Sequence, residues 1–222
     1  MTYKFDFRIL NDYGVYMAEG LWYTLLVALP SIVIASLLGL ALAAASTVPN
    51  RSLRFVSAGF VDVFRTVPVI CLLFWIHYVL PILLPVRFTS THSAVIALSL
   101  NGAAFACEAF RGALEAIPQT QLQAAYSLGY SRRRAFWEIV FPQAFYATLP
   151  ALTNVHITII KTVPVAVLIA VPEVMFRAQE LTVQFFRPLE LYTGAAVMYV
   201  ALVLVFTSIM RLVERRRKWE AV

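Results

Sequence analysis

Five apolar stretches, each long enough to cross a bilayer as a helix, dominate the sequence. A helix needs about 20 residues to span roughly 30 Å of hydrocarbon, and within lipid it satisfies its own backbone hydrogen bonds. The stretches cover residues 21–46, 59–80, 94–111, 146–171 and 192–211. Charged residues make up only 14% of the chain, against about 25% in a soluble domain. The sequence therefore predicts an all-α, polytopic transmembrane bundle of five spans, forming one domain over residues 1–222.

Lysine and arginine are unevenly distributed among the segments that join these spans. Such residues concentrate on the cytoplasmic side of a membrane protein. If the N-terminus is outside, the cytoplasmic segments hold two tight basic clusters, at residues 132–134 and 215–218. We therefore expect an outside N-terminus and a cytoplasmic C-terminus.

Small side chains recur at every fourth residue of the first span, at Ser31, Ala35, Gly39 and Ala43. Residues four apart lie on one face of a helix. Because small side chains let a second transmembrane helix approach closely, we expect this face to pack inside the bundle.

The connection between the third and fourth spans, residues 117–145, is a charged segment in an otherwise apolar chain. Residues 119–128 are predicted to form one helix, and Gly129 lies where a helix typically ends in a left-handed turn. Ser131 offers a hydroxyl to cap a second helix, which Pro142 is expected to end. The sequence thus predicts a helix-turn-helix along the cytoplasmic membrane surface. The alternative is an amphipathic loop whose arginines rest on anionic membrane lipid.

The residue order in this segment resembles the EAA motif of permease subunits in bacterial ABC importers. That motif reads Glu-Ala-Ala, three residues, Gly, nine residues, Ile-x-Leu-Pro. The corresponding positions here are Gln123, Ala124, Ala125, Gly129, Ile139 and Pro142, with Gln in place of Glu and Phe141 in place of Leu. In that family the segment forms coupling helices that dock on a cytoplasmic ATPase, and the resemblance implies this role for these positions.

Further stretches are similar to the polar amino acid permeases of the same kind of importer. They are FRTVPV at 64–69, EAFRGALEAIPQTQLQAA at 108–125, LPALTNVHITIIK at 149–161 and VPEV at 171–174. The resemblance implies a permease subunit that carries a polar amino acid across the cell inner membrane. It also implies three partners: a second permease subunit, identical or homologous, a cytoplasmic ATPase dimer and an extracytoplasmic solute-binding protein.

The sequence carries no nucleotide-binding or catalytic motif of its own. None of the 8 glycines has another glycine five residues on, which excludes a P-loop. The three histidines are scattered, and none has a carboxylate at zinc-ligand spacing. We therefore expect a transport subunit without enzymatic activity, metal or cofactor, with ATP and Mg²⁺ bound by the partner ATPase. The arginine triplet is explained by membrane topology, so nucleic acid is not an expected partner.

Polar and charged side chains within the predicted spans mark a candidate substrate path. A Lys or Arg at the centre of a transmembrane helix costs about 2.5–3.5 kcal/mol, so it is expected to pair or to face water. Glu108 and Arg111, three residues apart, are expected to form an ion pair. The fourth span is polar and interrupted by Pro164, as is typical of helices that line a transport path. The predicted path residues are Arg65, Thr66, Glu108, Asn154, Thr158, Lys161 and Thr162.

The identity of the substrate rests on one departure from the family. Where the family commonly has Lys-Asp-Thr-Ser, this chain has Lys-Thr-Val-Pro at residues 161–164. The carboxylate that a cationic substrate would use at Thr162 is missing. Together with the positive charges of Arg65 and Lys161, this absence leads us to expect an acidic or neutral polar amino acid. Two other functions stay open: an ion- or proton-coupled secondary carrier, against which the lack of a visible inverted repeat counts, and a membrane anchor without transport.

Overall fold

A computed structural model of the chain describes residues 5–84 and 86–218, with side chains as far as residue 214. Throughout these residues the regular structure is helical. The helices, labelled in chain order, are α1 Arg8–Thr47, α2 Arg51–Thr66, α3 Val69–Leu83, α4 Ser90–Glu115, α5 Gln119–Ser127, α6 Arg132–Ile169, α7 Val174–Phe185 and α8 Pro188–Lys218. The predicted all-α class is confirmed.

Four of these helices, α1, α4, α6 and α8, are each long and apolar enough to cross a membrane. Helices α2 and α3 pass the same test together, and counting them as one span gives the five that the sequence predicts. Their axes differ by 104°, whereas we expected one continuous span over residues 59–80. Pro68 explains the bend, because it has no N–H to donate and holds Val67 in extended backbone at ψ 126°.

The small-residue face of α1 packs against α4. Ser31, Ala35, Gly39 and Ala43 are all buried. The backbones come so close that a Cβ added to Gly39 would lie 2.6 Å from the Cβ of Ala106. The expected packing within the bundle is therefore confirmed.

The hydrophobic core lies where α1, α3, α4 and α6 meet. Helix α8 contributes less, because none of its apolar 18-residue window is buried within the chain. Its exposed side chains include Val197, Val200 and Leu204. In a membrane protein, an apolar surface of this kind contacts lipid or another subunit.

The charged connection folds as predicted at its turn but not at its end. Gly129 has φ +82°, and the Ser131 hydroxyl accepts a hydrogen bond from the backbone N–H of Arg134 at 3.3 Å. Pro142 does not end the second helix, which continues as α6. A π-helical turn at Phe136–Val140 precedes the proline, and such a widened turn relieves the clash that its ring would cause in a regular helix. The second helix of the predicted helix-turn-helix is therefore the start of the fourth span.

Candidate translocation cavity and coupling segment

A cavity of about 250 Å³ lies between α4 and α6. Its size is close to the lower end of the roughly 300–1,000 Å³ found for small-molecule pockets. Four of the residues that line it come from α4 and five from α6. They are Leu98, Asn101, Gly102, Phe105, Asn154, Val155, Thr158, Ile159 and Thr162.

The polar side of the cavity is a stripe along α6. Asn154, Thr158 and Thr162 are four residues apart, so they share one helix face. The Thr158 hydroxyl donates to the Asn154 carbonyl at 2.9 Å, and the Thr162 hydroxyl donates to the Thr158 carbonyl at 2.7 Å. With their protons engaged, the two hydroxyl oxygens present lone pairs to a ligand. The stripe therefore suits a ligand that carries N–H donors, such as an ammonium group.

Asn101 faces this stripe from α4 and connects the cavity to the bend between α2 and α3. Its side-chain amide donates to the backbone carbonyl of Phe64 at 2.8 Å, three residues before Val67. One of its two amide N–H groups is thus engaged, and the side-chain oxygen of Asn101 is another acceptor at the cavity wall. Gly102 beside it leaves room, because an added Cβ would lie 2.8 Å from Ile159 Cδ1 and 3.0 Å from the Cβ of Ala35.

Arg65 and Glu108 lie beside the cavity. An Arg65 guanidinium nitrogen lies 3.4 Å from the Glu108 carboxylate, and the guanidinium carbon lies 5.7 Å from the ring centre of Phe105, which lines the cavity. Arg111 contacts the same carboxylate at 2.8 Å and that of Glu115 at 2.9 Å. The expected pair of Glu108 with Arg111 is therefore confirmed, and it belongs to a longer chain of alternating charges that joins α2 to α4.

The two other predicted path residues do not line the cavity. The hydroxyl of Thr66 donates to the carbonyl of Asp62 in its own helix at 2.6 Å. Lys161 is exposed, and one residue of helical rotation separates it from Thr162 on the cavity face. Their part in transport stays a prediction, as do the roles of the other path residues.

Sequence reasoning missed the α4 side of the cavity. Asn101, Gly102 and Phe105 were not among the predicted residues, although an asparagine inside an apolar span is a signal that could have found the first. Gly102 and Phe105 gave no such signal, because small and aromatic residues are common in transmembrane helices.

The α6 stripe ends where the helix changes its winding. After Thr162 the chain continues as a 3₁₀-helix over Val163–Ile169, and Ala170 then takes a left-handed conformation with φ 58°. Pro164 lies in the first turn of that 3₁₀-helix, where its missing N–H is tolerated. The predicted interruption of the fourth span is confirmed.

The EAA-like segment is anchored to the bundle by few contacts. Gln143 in α6 donates through its side-chain amide to the side-chain oxygen of Gln121 in α5 at 2.8 Å. Gln123 and Ala124 are exposed, whereas Ala125 is only 2% exposed. Ala125 therefore packs inside the turn, and of the alanine pair only Ala124 lies on the outer surface, where a docking partner could reach it.

The remaining EAA-like positions hold the turn and the start of α6. Gly129 provides the left-handed residue between α5 and α6, while Ile139 and Pro142 are half-buried where α6 enters the bundle. Arg134, near the turn, pairs with Glu138 at 2.9 Å and lies over the Tyr130 ring at 4.4 Å.

The family described as "Binding-protein-dependent transport system inner membrane component" matches residues 35–219. The chain belongs to this family. Two similar proteins of Bacillus subtilis are the arginine transport system permease protein ArtQ, 32% identical over 96% of this chain and 97% of that protein, and the L-cystine permease TcyB, 31% identical over 90% and 86%. The glutamine transport system permease protein GlnP of Escherichia coli is 31% identical over 97% and 99%.

The fold agrees with this assignment. A crystal structure of an amino acid ABC transporter with histidines matches 96% of this chain and 100% of that one, with a TM-score of 0.90 and 26% identity. The inward-facing MetNI methionine ABC transporter shares the fold, with a TM-score of 0.78 at 19% identity. The chain is thus a multi-pass permease subunit of an amino-acid ABC importer, and not a secondary carrier.

Proposed function

We propose that this permease carries an acidic or neutral polar amino acid through the cavity between α4 and α6. One observation supports the proposal above all: Asn154, Thr158 and Thr162 form a polar stripe that faces Asn101 across an otherwise apolar wall. Hydrogen-bonding groups placed in an apolar cavity are how small-molecule sites fix the orientation of a ligand.

The charge of the substrate follows from the same lining. All nine residues recorded along the cavity are uncharged. A charged side chain of either sign would lose its hydration there, which is costly, and a cationic one would find no carboxylate in the lining. The lining itself therefore favours a neutral polar side chain, and an acidic one would depend on Arg65 beside the cavity. Glu108 lies nearby, but Arg65 and Arg111 already neutralise it. The similar proteins are named for arginine, cystine and glutamine, which differ in charge, so their names do not decide the charge of this substrate.

The proposed transporter contains this chain, a second permease subunit, two cytoplasmic ATPase subunits and an extracytoplasmic solute-binding protein, in the inner membrane. The basic clusters at residues 132–134 and 215–218 support a cytoplasmic position for the EAA-like segment and the C-terminus. Closure of the ATPase dimer would then move the two EAA-like segments together and switch the path between inward-facing and outward-facing states.

Partner binding is tested by purifying the tagged chain from its native host in a mild detergent, followed by mass spectrometry. We expect a P-loop protein and a permease chain in stoichiometric amounts. Recovery of the chain alone from several detergents would contradict the proposed assembly.

The cavity is tested by uptake into proteoliposomes that contain the complete transporter. Thr158→Val keeps the shape of the side chain and removes its oxygen, and Asn154→Leu removes the neighbouring amide. The loss of one ligand hydrogen bond costs about 0.5–1.5 kcal/mol, so each change is expected to raise KM roughly two- to tenfold. The matched control is Thr207→Val in α8, whose hydroxyl also donates to its own helix, at 2.7 Å. Unchanged uptake kinetics in both cavity variants would place the substrate path elsewhere.

A further inference from the structure

A second, larger cavity lies at the end of the bundle that carries the EAA-like segment. This groove has a volume of about 700 Å³ and shares no lining residue with the cavity between α4 and α6 that we propose as the translocation cavity. Its walls come from the last turns of α1 and α4, from α5 and from the first turns of α6. They are mostly aliphatic and aromatic, with Leu40, Leu114, Leu122 and Val140 among them.

The groove extends from the end of α1 towards the middle of the helix bundle. On α1 it reaches from Val48, just beyond the helix end, back to Leu40. Leu40 comes seven positions before the last helical residue, Thr47, which corresponds to about 10 Å along the helix axis. Because α1 crosses the membrane, the inner part of the groove lies at the depth of lipid acyl chains.

Two exposed arginines flank this apolar groove. Arg132 and Arg133 line it, both are exposed, and neither forms a salt bridge with any residue that the structure describes. By contrast, the next residue, Arg134, pairs with Glu138. Trp137, half exposed at the same groove, is of the side-chain type that collects at the membrane–water interface.

We propose that this groove binds one acidic phospholipid, with an acyl chain along its apolar walls and the phosphate held by Arg132 and Arg133. Both features are needed for this assignment. A water-soluble anion would use the arginines and leave the walls unoccupied, and an uncharged lipid would use the walls and leave two positive charges without a partner. Guanidinium groups are well suited to phosphate, since they can donate two parallel hydrogen bonds.

A bound lipid would join the packed pair of α1 and α4 to the first turn of α6. Its acyl chain would contact α1 and α4, while its phosphate would contact the first turn of α6, next to the Gly129 turn. Binding of such a lipid depends neither on which amino acid is carried nor on which ATPase is bound, so it is tested separately from transport.

The test uses the full chain, stripped of lipid in detergent and titrated with phosphatidylglycerol or phosphatidylcholine, with the bound lipid counted by native mass spectrometry. A basic residue near an acidic lipid surface contributes about 1 kcal/mol, so Arg132→Gln with Arg133→Gln is expected to weaken phosphatidylglycerol binding about thirtyfold. The matched control is Arg51→Gln with Arg54→Gln, two exposed arginines at the start of α2 that do not line the groove.

A second pair of variants distinguishes a lipid bound inside the groove from a lipid held only by the arginines at its surface. Ala44 lines the groove on α1, and Ala44→Trp fills it while keeping both arginines. Ala41, exposed on the same helix and not among the lining residues, gives the control Ala41→Trp. Phosphatidylglycerol binding is expected to fall at least tenfold in the first variant and to stay within twofold of the wild type in the second.

Three results would overturn the proposal. They are equal binding of the two lipids, equal losses in the Arg51/Arg54 control, and unchanged binding in Ala44→Trp. A further test uses the chain in complex with its ATPase. If that complex retains no phosphatidylglycerol, a partner subunit and not a lipid occupies the groove.

Discussion

The close contact between α1 and α4 gives a prediction whose magnitude follows from the structure. In Gly39→Ala the new Cβ would lie 2.6 Å from the Cβ of Ala106, 2.9 Å from the backbone nitrogen of Cys107 and 3.0 Å from the carbonyl oxygen of Ala103. Carbon atoms in favourable contact are about 3.5–4.0 Å apart. Two of the three neighbours are backbone atoms, so the helices themselves would have to separate.

Overpacking of this kind costs about 1–3 kcal/mol. Alanine also favours a helix over glycine by roughly 0.5–1 kcal/mol, which partly offsets the clash. Gly14→Ala in the same helix isolates the clash, because nothing lies within 4 Å of the Cβ that it adds. The two variants should therefore differ by about 1–3 kcal/mol, or roughly 2–12 °C in Tm at 2–4 °C per kcal/mol.

The assay is thermal unfolding of the purified chain in a mild detergent, followed by the loss of the monodisperse peak in size-exclusion chromatography. Gly39→Ala is expected to unfold below the wild type and Gly14→Ala at or above it. Equal Tm values for the two variants would show that α1 and α4 do not approach as closely as the structure places them. The contact also supports the cavity wall, because Ala35 of the same α1 face would lie 3.0 Å from a Cβ at Gly102.

Three further predictions concern the turn and the start of α7. Gly129 has φ +82°, so Gly129→Val should lower the folding stability by at least about 1–2 kcal/mol and weaken co-purification of the ATPase about tenfold. Gly112→Val is the control, because nothing lies within 4 Å of a Cβ at Gly112, and it should show neither effect. Ser131→Ala should lower stability by about 1 kcal/mol in thermal unfolding. Glu173 is buried just before α7, where its carboxylate accepts hydrogen bonds from the backbone N–H groups of Met175 and Phe176. Burial raises the pKa of Glu173 above its ordinary value of 4.5. The stability that the folded chain gains by protonating Glu173 is therefore complete below about pH 4.5 and is lost as the pH rises through the folded-state pKa. The Tm of Glu173→Gln should therefore fall less than that of the wild type when the pH is raised from about 5 to about 8. An equal fall in both proteins would contradict the raised pKa of Glu173.

The features that the sequence predicted correctly are local ones. Apolar length identified the spans, and spacing of four identified the buried face of α1. The same local rules placed the Gly129 turn, the Ser131 cap and the pairing of Glu108 with Arg111. Each of these depends on residues within a turn or two of one another, where propensity and spacing carry the information.

The contact of Arg65 with Glu108 could not be predicted in this way. The two residues are far apart in the chain. They meet because α2 ends at the bend before Pro68, so that its last turn, which carries Arg65, packs beside α4. A continuous second span over residues 59–80 would have given no reason to bring them together. The same bend presents the Phe64 carbonyl to Asn101, so missing the bend also meant missing the α4 side of the cavity.

Irregular backbone is tolerated at membrane depth only where protein covers it or water reaches it. The bend after Thr66 and the change of winding after Thr162 both lie close to the cavity between α4 and α6, which we propose as the substrate path. Asn101 contacts the chain just before the first, and the polar stripe of α6 ends at the second. In the sequence these two places are marked by Pro68 and Pro164, but a proline alone does not identify them, because Pro30 and Pro150 lie inside α1 and α6 without ending either helix. We predict that these two places act in transport together with the polar residues beside them, so a search for a path in related chains should look for asparagines and threonines that line a cavity next to an intramembrane proline.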